Sequence, residues 1–181
     1  VIVGGAKIET KLPLVEKMHR FADFVLVGGK IAKEAETILK IKNKHAEEKH
    51  AVLVIGELNK DKTDILNKSV KEFLEIIKNA GTVVWNGPVG LISSKFNPST
   101  KLRARVQSSK LIEDTERGTR ELAKGIIKSK AYTVVGGGDT LGFLRKIGLL
   151  DKFSFVSTGG GAMLAYLSRE KLPGLDALTK T

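Results

Sequence analysis

Residues 132–140 read YTVVGGGDT. Tyr132 to Val135 are strand-forming residue types, Gly136 to Gly138 break the run, and Asp139 with Thr140 suit the opening of a helix. The same passage from a short apolar run into glycine recurs along the chain: VIVGG at 1, FVLVGG at 24, AVLVIG at 51, TVVWNGPVG at 82 and FSFVSTGGG at 153. Between these runs lie segments with helical spacing. In KSVKEFLEIIKNAG, residues 68–81, Val70, Phe73, Leu74, Ile76 and Ile77 form one apolar face, and Gly81 supplies a C-terminal stop. Near-continuous apolar strands alternating with amphipathic helices indicate a parallel sheet covered on both sides. The expected fold is therefore α/β: a doubly wound, Rossmann-like parallel sheet of about six strands with helices on both faces, forming one domain over residues 1–181.

Composition narrows the function. The chain of 181 residues is 41% hydrophobic, which suffices for one buried core. No run approaches 18 consecutive apolar residues, and no charged-then-apolar leader precedes the first strand, so a cytoplasmic protein without a membrane span is expected. The absence of cysteine removes disulfides, thiolate nucleophiles and Cys-type zinc sites. His19, His45 and His50 stand isolated among Lys and Glu and read as surface positions. The net charge of +11 is unevenly placed: Lys95, Lys101, Arg103, Arg105 and Lys110 fall between residues 93 and 110 with no acid among them. That run contains one aromatic, Phe96, with Pro98 and several serines, so it reads as a surface loop. A basic nucleic-acid-binding module built on it is the alternative, weakened by the lack of stacking aromatics.

In doubly wound sheets the loops at the carboxyl ends of the strands line the ligand crevice. Here those loops hold most of the glycine clusters. Glycine admits a ligand to the main chain, and the helix that follows offers unpaired N–H groups and partial positive charge, so a phosphate-bearing ligand is indicated. Two familiar phosphate motifs fail. No Gly-x4-Gly-Lys-Ser/Thr loop is present, and Gly136 and Gly138 begin a Gly-x-Gly-x-x-Gly pattern that Leu141 ends. What remains is a set of pieces. Lys7 and Lys11, four apart at the start of a helix, can direct two ammonium groups one way onto phosphoryl oxygens, or can lie on a solvated face. Asp139 can hold Mg2+ against nucleotide phosphates or cap its helix, and the two roles can coexist. Thr140 and the backbone around Gly138 would complete a phosphate cradle. Gly159, Gly160 and Gly161, opening the last βα turn, form a second anion site suited to a phosphoryl group in transit.

The segments VIVGGAKIETKLPLVEKM, TVVWNGPVG, VVGGGDT, FVSTGGGAML and LPGLDAL occur in this order from residue 1 to about 178. Together they resemble the carboxyl-terminal, nucleotide-binding half of phosphoglycerate kinase. The resemblance implies reversible phosphoryl transfer in glycolysis, in which ATP and 3-phosphoglycerate give ADP and 1,3-bisphosphoglycerate, with Mg2+ as the cofactor and closure of two α/β domains bringing the substrates together. It further implies that Lys7 and Lys11 contact phosphate and that Gly5, Gly28 and Gly29 line the adenosine side. Asn86 and Pro88 would contact the nucleoside, Gly138, Asp139 and Thr140 would serve the metal and phosphates with Asp139 as the metal ligand, and Gly159 to Gly161 would receive the transferring group.

Several departures accompany the resemblance. The amino-terminal, glycerate-binding half is not represented, so this chain is expected to be a monomeric partner of ATP or ADP. Engagement of 3-phosphoglycerate or 1,3-bisphosphoglycerate would await the missing half. An inactive fragment is the further alternative. Lys30 stands where the family has a third glycine, and Leu66, in DILN, replaces a glycine expected to admit adenine. The segment AVLVIGELNKDKTDILN is shorter than its family counterpart. After Gly90 the family runs two apolar residues and a glutamate that takes the ribose hydroxyls. Here Leu91 and Ile92 are followed by Ser93, while Leu111, Ile112 and Glu113 restore the triplet shortly before Gly118 and Thr119. An insertion of about twenty residues, 93–112, makes Glu113 the candidate ribose ligand. The competing reading is an acid in the first turn of the following helix.

Overall fold

The computed structural model describes residues 1–6, 8–32, 35, 51–92 and 109–179. Six strands form one sheet: β1 (Ile2–Val3), β2 (Phe24–Val27), β3 (Val52–Ile55), β4 (Thr82–Asn86), β5 (Tyr132–Gly136) and β6 (Phe155–Ser157). Every neighbouring pair is parallel, in the order β3-β2-β1-β4-β5-β6. The α-helices among the described residues are α1 (Ile8–Met18), α2 (Asn67–Lys78), α3 (Ser109–Lys128), α4 (Gly138–Lys146), α5 (Gly160–Leu167) and α6 (Pro173–Thr179).

Successive strand residues point to opposite faces, and both faces are apolar. On one side Ile2, Leu26, Trp85 and Val135 pack with Phe73 and Ile77 of α2, Leu122 and Ile126 of α3, and Phe143 and Leu144 of α4. On the other, Val3, Val25 and Val27 pack with Leu14, Val15 and Met18 of α1 and with Leu164 of α5. The chain winds outward from β1 to β3, crosses beneath the sheet through α2, and winds outward again from β4 to β6. The reversal leaves a crevice between the carboxyl ends of β1 and β4, the adjacent strands from which the chain winds outward in opposite directions.

The expected six strands and doubly wound class are present, with local corrections. The apolar face of α2 is as read, with Val70, Phe73 and Ile77 buried, but the helix stops at Lys78 with Asn79 as its C-cap. Gly81 is not that cap. His19, expected at the surface, is buried just beyond the end of α1, and its carbonyl accepts the Ala51 N–H at 2.8 Å. Packing of α1 against β2 carries His19 beneath the chain entering β3. Its neighbours in sequence gave no sign of this. His45, His50 and residues 93–108 of the basic run lie outside the described residues. The last four positions of the expected insertion, 109–112, form the start of α3.

Candidate nucleotide site

Asn86 is the final residue of β4 and stands at the switch point. Its carbonyl accepts the Gly4 N–H at 3.0 Å, which ties the end of β1 to the end of β4. Its side chain is buried and faces the crevice from below: Lys11 Nζ of α1 donates to Asn86 Oδ1, and Asn86 Nδ2 donates to the Gly160 carbonyl at 3.3 Å. One asparagine thus joins the turns after β1, β4 and β6.

The turn after β4 is held just as closely. Gly87 N–H donates to Thr140 Oγ1 at 3.0 Å, and Trp85 Nε1–H donates to the Gly87 carbonyl at 2.8 Å. Gly87 has φ +95°, and a Cβ on it would stand 2.0 Å from the Gly4 carbonyl oxygen, so only glycine allows the β1 and β4 turns to meet. Gly160 approaches the turn after β5 in the same way, since an added Cβ would lie 2.6 Å from the Gly137 nitrogen. Of the glycines read as ligand contacts, Gly29 and Gly160 serve to bring turns together, whereas Gly138 and Gly161 have open space where a Cβ would stand.

The result is a cleft of about 240 Å³ lined by Gly5, Lys11, Asn86, Pro88 and the stretch Gly137 to Thr140. Asp139 lies in the first turn of α4, whose N-cap is Gly137, so Asp139 stands inside the helix and is not its cap. Thr140 is fully buried with its hydroxyl accepting from Gly87, so it braces the turn beneath the cleft. A smaller cavity of about 50 Å³ adjoins this cleft, sharing Gly5, Pro88 and Asp139 and adding Gly29, Lys30, Leu58 and Val89. Gly28 is buried against Val89 and lines neither cavity. On the other side, a cavity of about 350 Å³ is lined by Lys11, Lys17 and Gly161 among others, so Lys11 borders both large spaces. Gly159 is the N-cap of α5. Lys7 and the side chain of Glu113 lie outside the described residues.

Three residues essential to this wall were not recognised as such from the sequence. Thr119 Oγ1 accepts both Val89 N–H and Gly90 N–H at 3.2 Å, and the Thr63 carbonyl accepts Leu91 N–H at 2.7 Å. Asp64 is buried, and its Oδ2 accepts Gly118 N–H at 2.7 Å with Arg117 Nη2 at 3.5 Å. Burial pushes the Asp64 carboxyl up to about 6, against the opposing pull of the Gly118 and Ile65 N–H groups and Arg117. Each is a long-range contact, and in sequence only the Gly118–Thr119 pair and the DILN stretch that begins with Asp64 stood out as motifs. Leu66 is the N-cap of α2 and lines neither cavity at the nucleotide cleft, whereas Lys30 does line one.

Comparison with known proteins adds an independent observation. The family model described as phosphoglycerate kinase matches residues 35–170. This chain belongs to the phosphoglycerate kinase family. Curated phosphoglycerate kinases from Wigglesworthia glossinidia brevipalpis and Haemophilus influenzae (strain ATCC 51907 / DSM 11121 / KW20 / Rd) are 33% and 32% identical to it over 99% of its length. The chain spans about half the length of the curated relatives it matches, 50% and 51% respectively. The first alignment covers 215 positions, more than the 181 residues of this chain, so that relative carries segments this chain lacks. Among solved structures, phosphoglycerate kinase from Coxiella burnetii superimposes with a TM-score of 0.75 at 30% identity, covering 99% of this chain and 52% of that one. The enzyme from Pyrococcus horikoshii OT3 gives 0.68 at 26% identity, with 98% and 50% covered.

Proposed function

We propose that residues 1–181 form the nucleotide-binding domain of a phosphoglycerate kinase, taking ATP or ADP with Mg2+ in the cleft between β1 and β4. The convergence of the turns after β1, β4, β5 and β6 on Lys11 and the start of α4 carries this reading. The α4 N-terminus presents backbone N–H groups and the positive end of the helix dipole to phosphate, and Lys11, held by Asn86, adds an ammonium from the opposite wall. The base and ribose then lie toward the smaller cavity, past Gly5, Gly29 and Pro88, with Glu113 as the proposed ribose ligand and Lys7 as the second phosphate lysine. The space beyond Lys11, at Gly161 and the start of α5, is where a phosphoryl group would pass toward a glycerate acceptor. That acceptor would be 3-phosphoglycerate, held by a second half such as the longer relatives have room for.

The donor set fits Mg2+ bound chiefly by its nucleotide. Among the described residues no group of three or more His, Cys, Asp and Glu forms a protein cage, and Asp139 is an acid on the wall of the phosphate cleft. Mg2+ is commonly held by one or two carboxylates plus substrate phosphates, and it supplies neutralisation of charge on the transferring group. The residues of this chain position the phosphates and keep water from them. No helix among the described residues is long and apolar enough to cross a membrane, in keeping with the proposed placement in the cytoplasm.

Ligand binding to the native state adds RT ln(1 + [L]/Kd), about 2.7 kcal/mol at a hundredfold excess over Kd. MgADP at millimolar concentration is therefore expected to raise the melting temperature of residues 1–181. A flat response would refute nucleotide binding by this chain. Asp139→Ala should remove the dependence of that shift on magnesium, and an unchanged dependence would exclude Asp139 as the metal ligand. Residues 1–181 by themselves are expected to show no turnover with 3-phosphoglycerate in a coupled assay, and measurable turnover would mean that an acceptor site is present here.

A further inference from the structure

The smaller cavity is a poor match for adenine in its polar groups. It holds about 50 Å³, room for roughly four waters, so the edge of a bicyclic base enters it and the remainder lies across its mouth. Its floor is apolar, formed by Leu58, Val89 and Ile92. The walls cannot readily retreat, because the Gly28 backbone already abuts Val89 and Gly29 abuts Gly5.

The polar side chains at this cavity are Lys30, Lys62, Thr63 and, at the border with the phosphate cleft, Asp139. Thr63 Oγ1 already accepts from Asn59 Nδ2 at 3.1 Å, and the Thr63 carbonyl from Leu91 N–H. Lys30 and Lys62 are exposed at the rim, and neither forms an ion pair with another described residue. An ammonium is a donor only. Adenine presents an amino donor at its 6-position, which finds no free side-chain acceptor among the described residues that line this cavity. A 6-oxopurine presents O6 and N7 as adjacent acceptors, the arrangement for which a lysine is a preferred partner.

Resting on the nucleotide reading given above, we propose that Lys30 and Lys62 bias the base subsite toward 6-oxopurine nucleotides, so that guanosine and inosine diphosphates bind more tightly than ADP. The apolar floor takes the ring face, and the polar edge turns to the rim, where the two ammonium groups meet O6 and N7. Asp139 remains with the phosphates and takes no part in the choice of base.

The test is calorimetric titration of residues 1–181 with MgADP, MgGDP and MgIDP. Inosine diphosphate separates the effect of O6 from that of the guanine 2-amino group. The expected result is that GDP and IDP bind about tenfold more tightly than ADP. The preference should fall to near unity in Lys30→Met combined with Lys62→Asn, a pair of exposed changes whose folding is checked by circular dichroism. Lys62 has φ +55°, which asparagine tolerates well. Should the double variant fail to fold, each single variant is expected to lose part of the preference. ADP binding as tightly as GDP, or a preference that persists without both lysines, would overturn the proposal while leaving nucleotide binding intact. Failure of all three nucleotides to bind would overturn the nucleotide reading and this proposal together.

Discussion

Asp64 offers a direct measure of what the wall behind the turn after β4 requires. Its carboxyl group is 1% exposed, Oδ2 accepts from Gly118 N–H, and Oδ1 has no hydrogen-bond partner among the described residues. An added Cβ at Gly90 would lie 2.3 Å from Oδ1 and 2.3 Å from the Thr115 carbonyl oxygen, so these two acceptors face the same small space. Burial raises the carboxyl from 3.8 to about 6, so the native state holds a proton that the unfolded chain has released. Stability from this group is therefore full below about pH 4, falls as pH rises to about 6, and stays low above it. A shift of about two units corresponds to about 3 kcal/mol. Arg117 and Glu121 on α3 are the charged groups that bear on it, the first favouring ionisation and the second opposing it.

Asp64→Asn keeps an oxygen for Gly118 N–H and places an amide donor where Oδ1 now faces the Thr115 carbonyl. The variant should be more stable than the parent by about 2 to 3 kcal/mol at pH 7.5, a rise in melting temperature of roughly 4 to 12 °C for a chain of this size. The gain should shrink between pH 6 and 4 and vanish below. Differential scanning calorimetry of both proteins across pH 4 to 8 measures this, since all other titrating groups are common to the pair. A variant less stable than its parent at pH 7.5, or a gain independent of pH, would show that the Asp64 carboxylate contributes more through Arg117 and Gly118 than burial takes away.

Gly87→Ala should destabilise by roughly 2 to 4 kcal/mol, because it combines a left-handed backbone with a clash against Gly4. A urea midpoint within error of the parent would contradict that geometry. Thr140→Val retains the shape of the side chain but leaves Gly87 N–H buried without an acceptor, with an expected loss of about 1 to 3 kcal/mol. The same variant should weaken MgADP binding through movement of the turn, measured by titration, and unaltered stability would place the brace elsewhere. Leu122→Ala, at a fully buried position of α3, should cost about 2 to 5 kcal/mol by chemical denaturation.

The strands were legible because each is a short apolar run that leads into a glycine-containing turn, although β3 and β6 at the sheet edges are only partly buried. Val134 and Val135 could hardly be read otherwise. The helix face of α2 was legible because Val70, Phe73 and Ile77 repeat at its period. The glycine turns and Lys11 stood out in the sequence, and they meet at the cleft between β1 and β4. His19 was misread because its burial depends on where α1 meets the entry to β3, whereas the sequence shows it only between Met18 and Arg20 in a stretch rich in Lys and Glu. Asp64 looked like the remnant of a turn motif beside Leu66. Its partner Gly118 is 54 positions away, and nothing local records that contact.

Periodicity and composition by themselves determined that this chain is a doubly wound α/β domain with glycine-rich turns at its strand ends, because those properties follow from contacts within a few residues. The tertiary structure alone decided the strand order, the placing of the crevice between β1 and β4, and the use of Asn86 and Thr140 as braces beneath it. It also placed Lys30 on the wall of the smaller cavity and left Leu66 off that wall. These depend on which distant turns the crossover through α2 brings together, and a residue's neighbours along the chain do not fix its neighbours across a sheet.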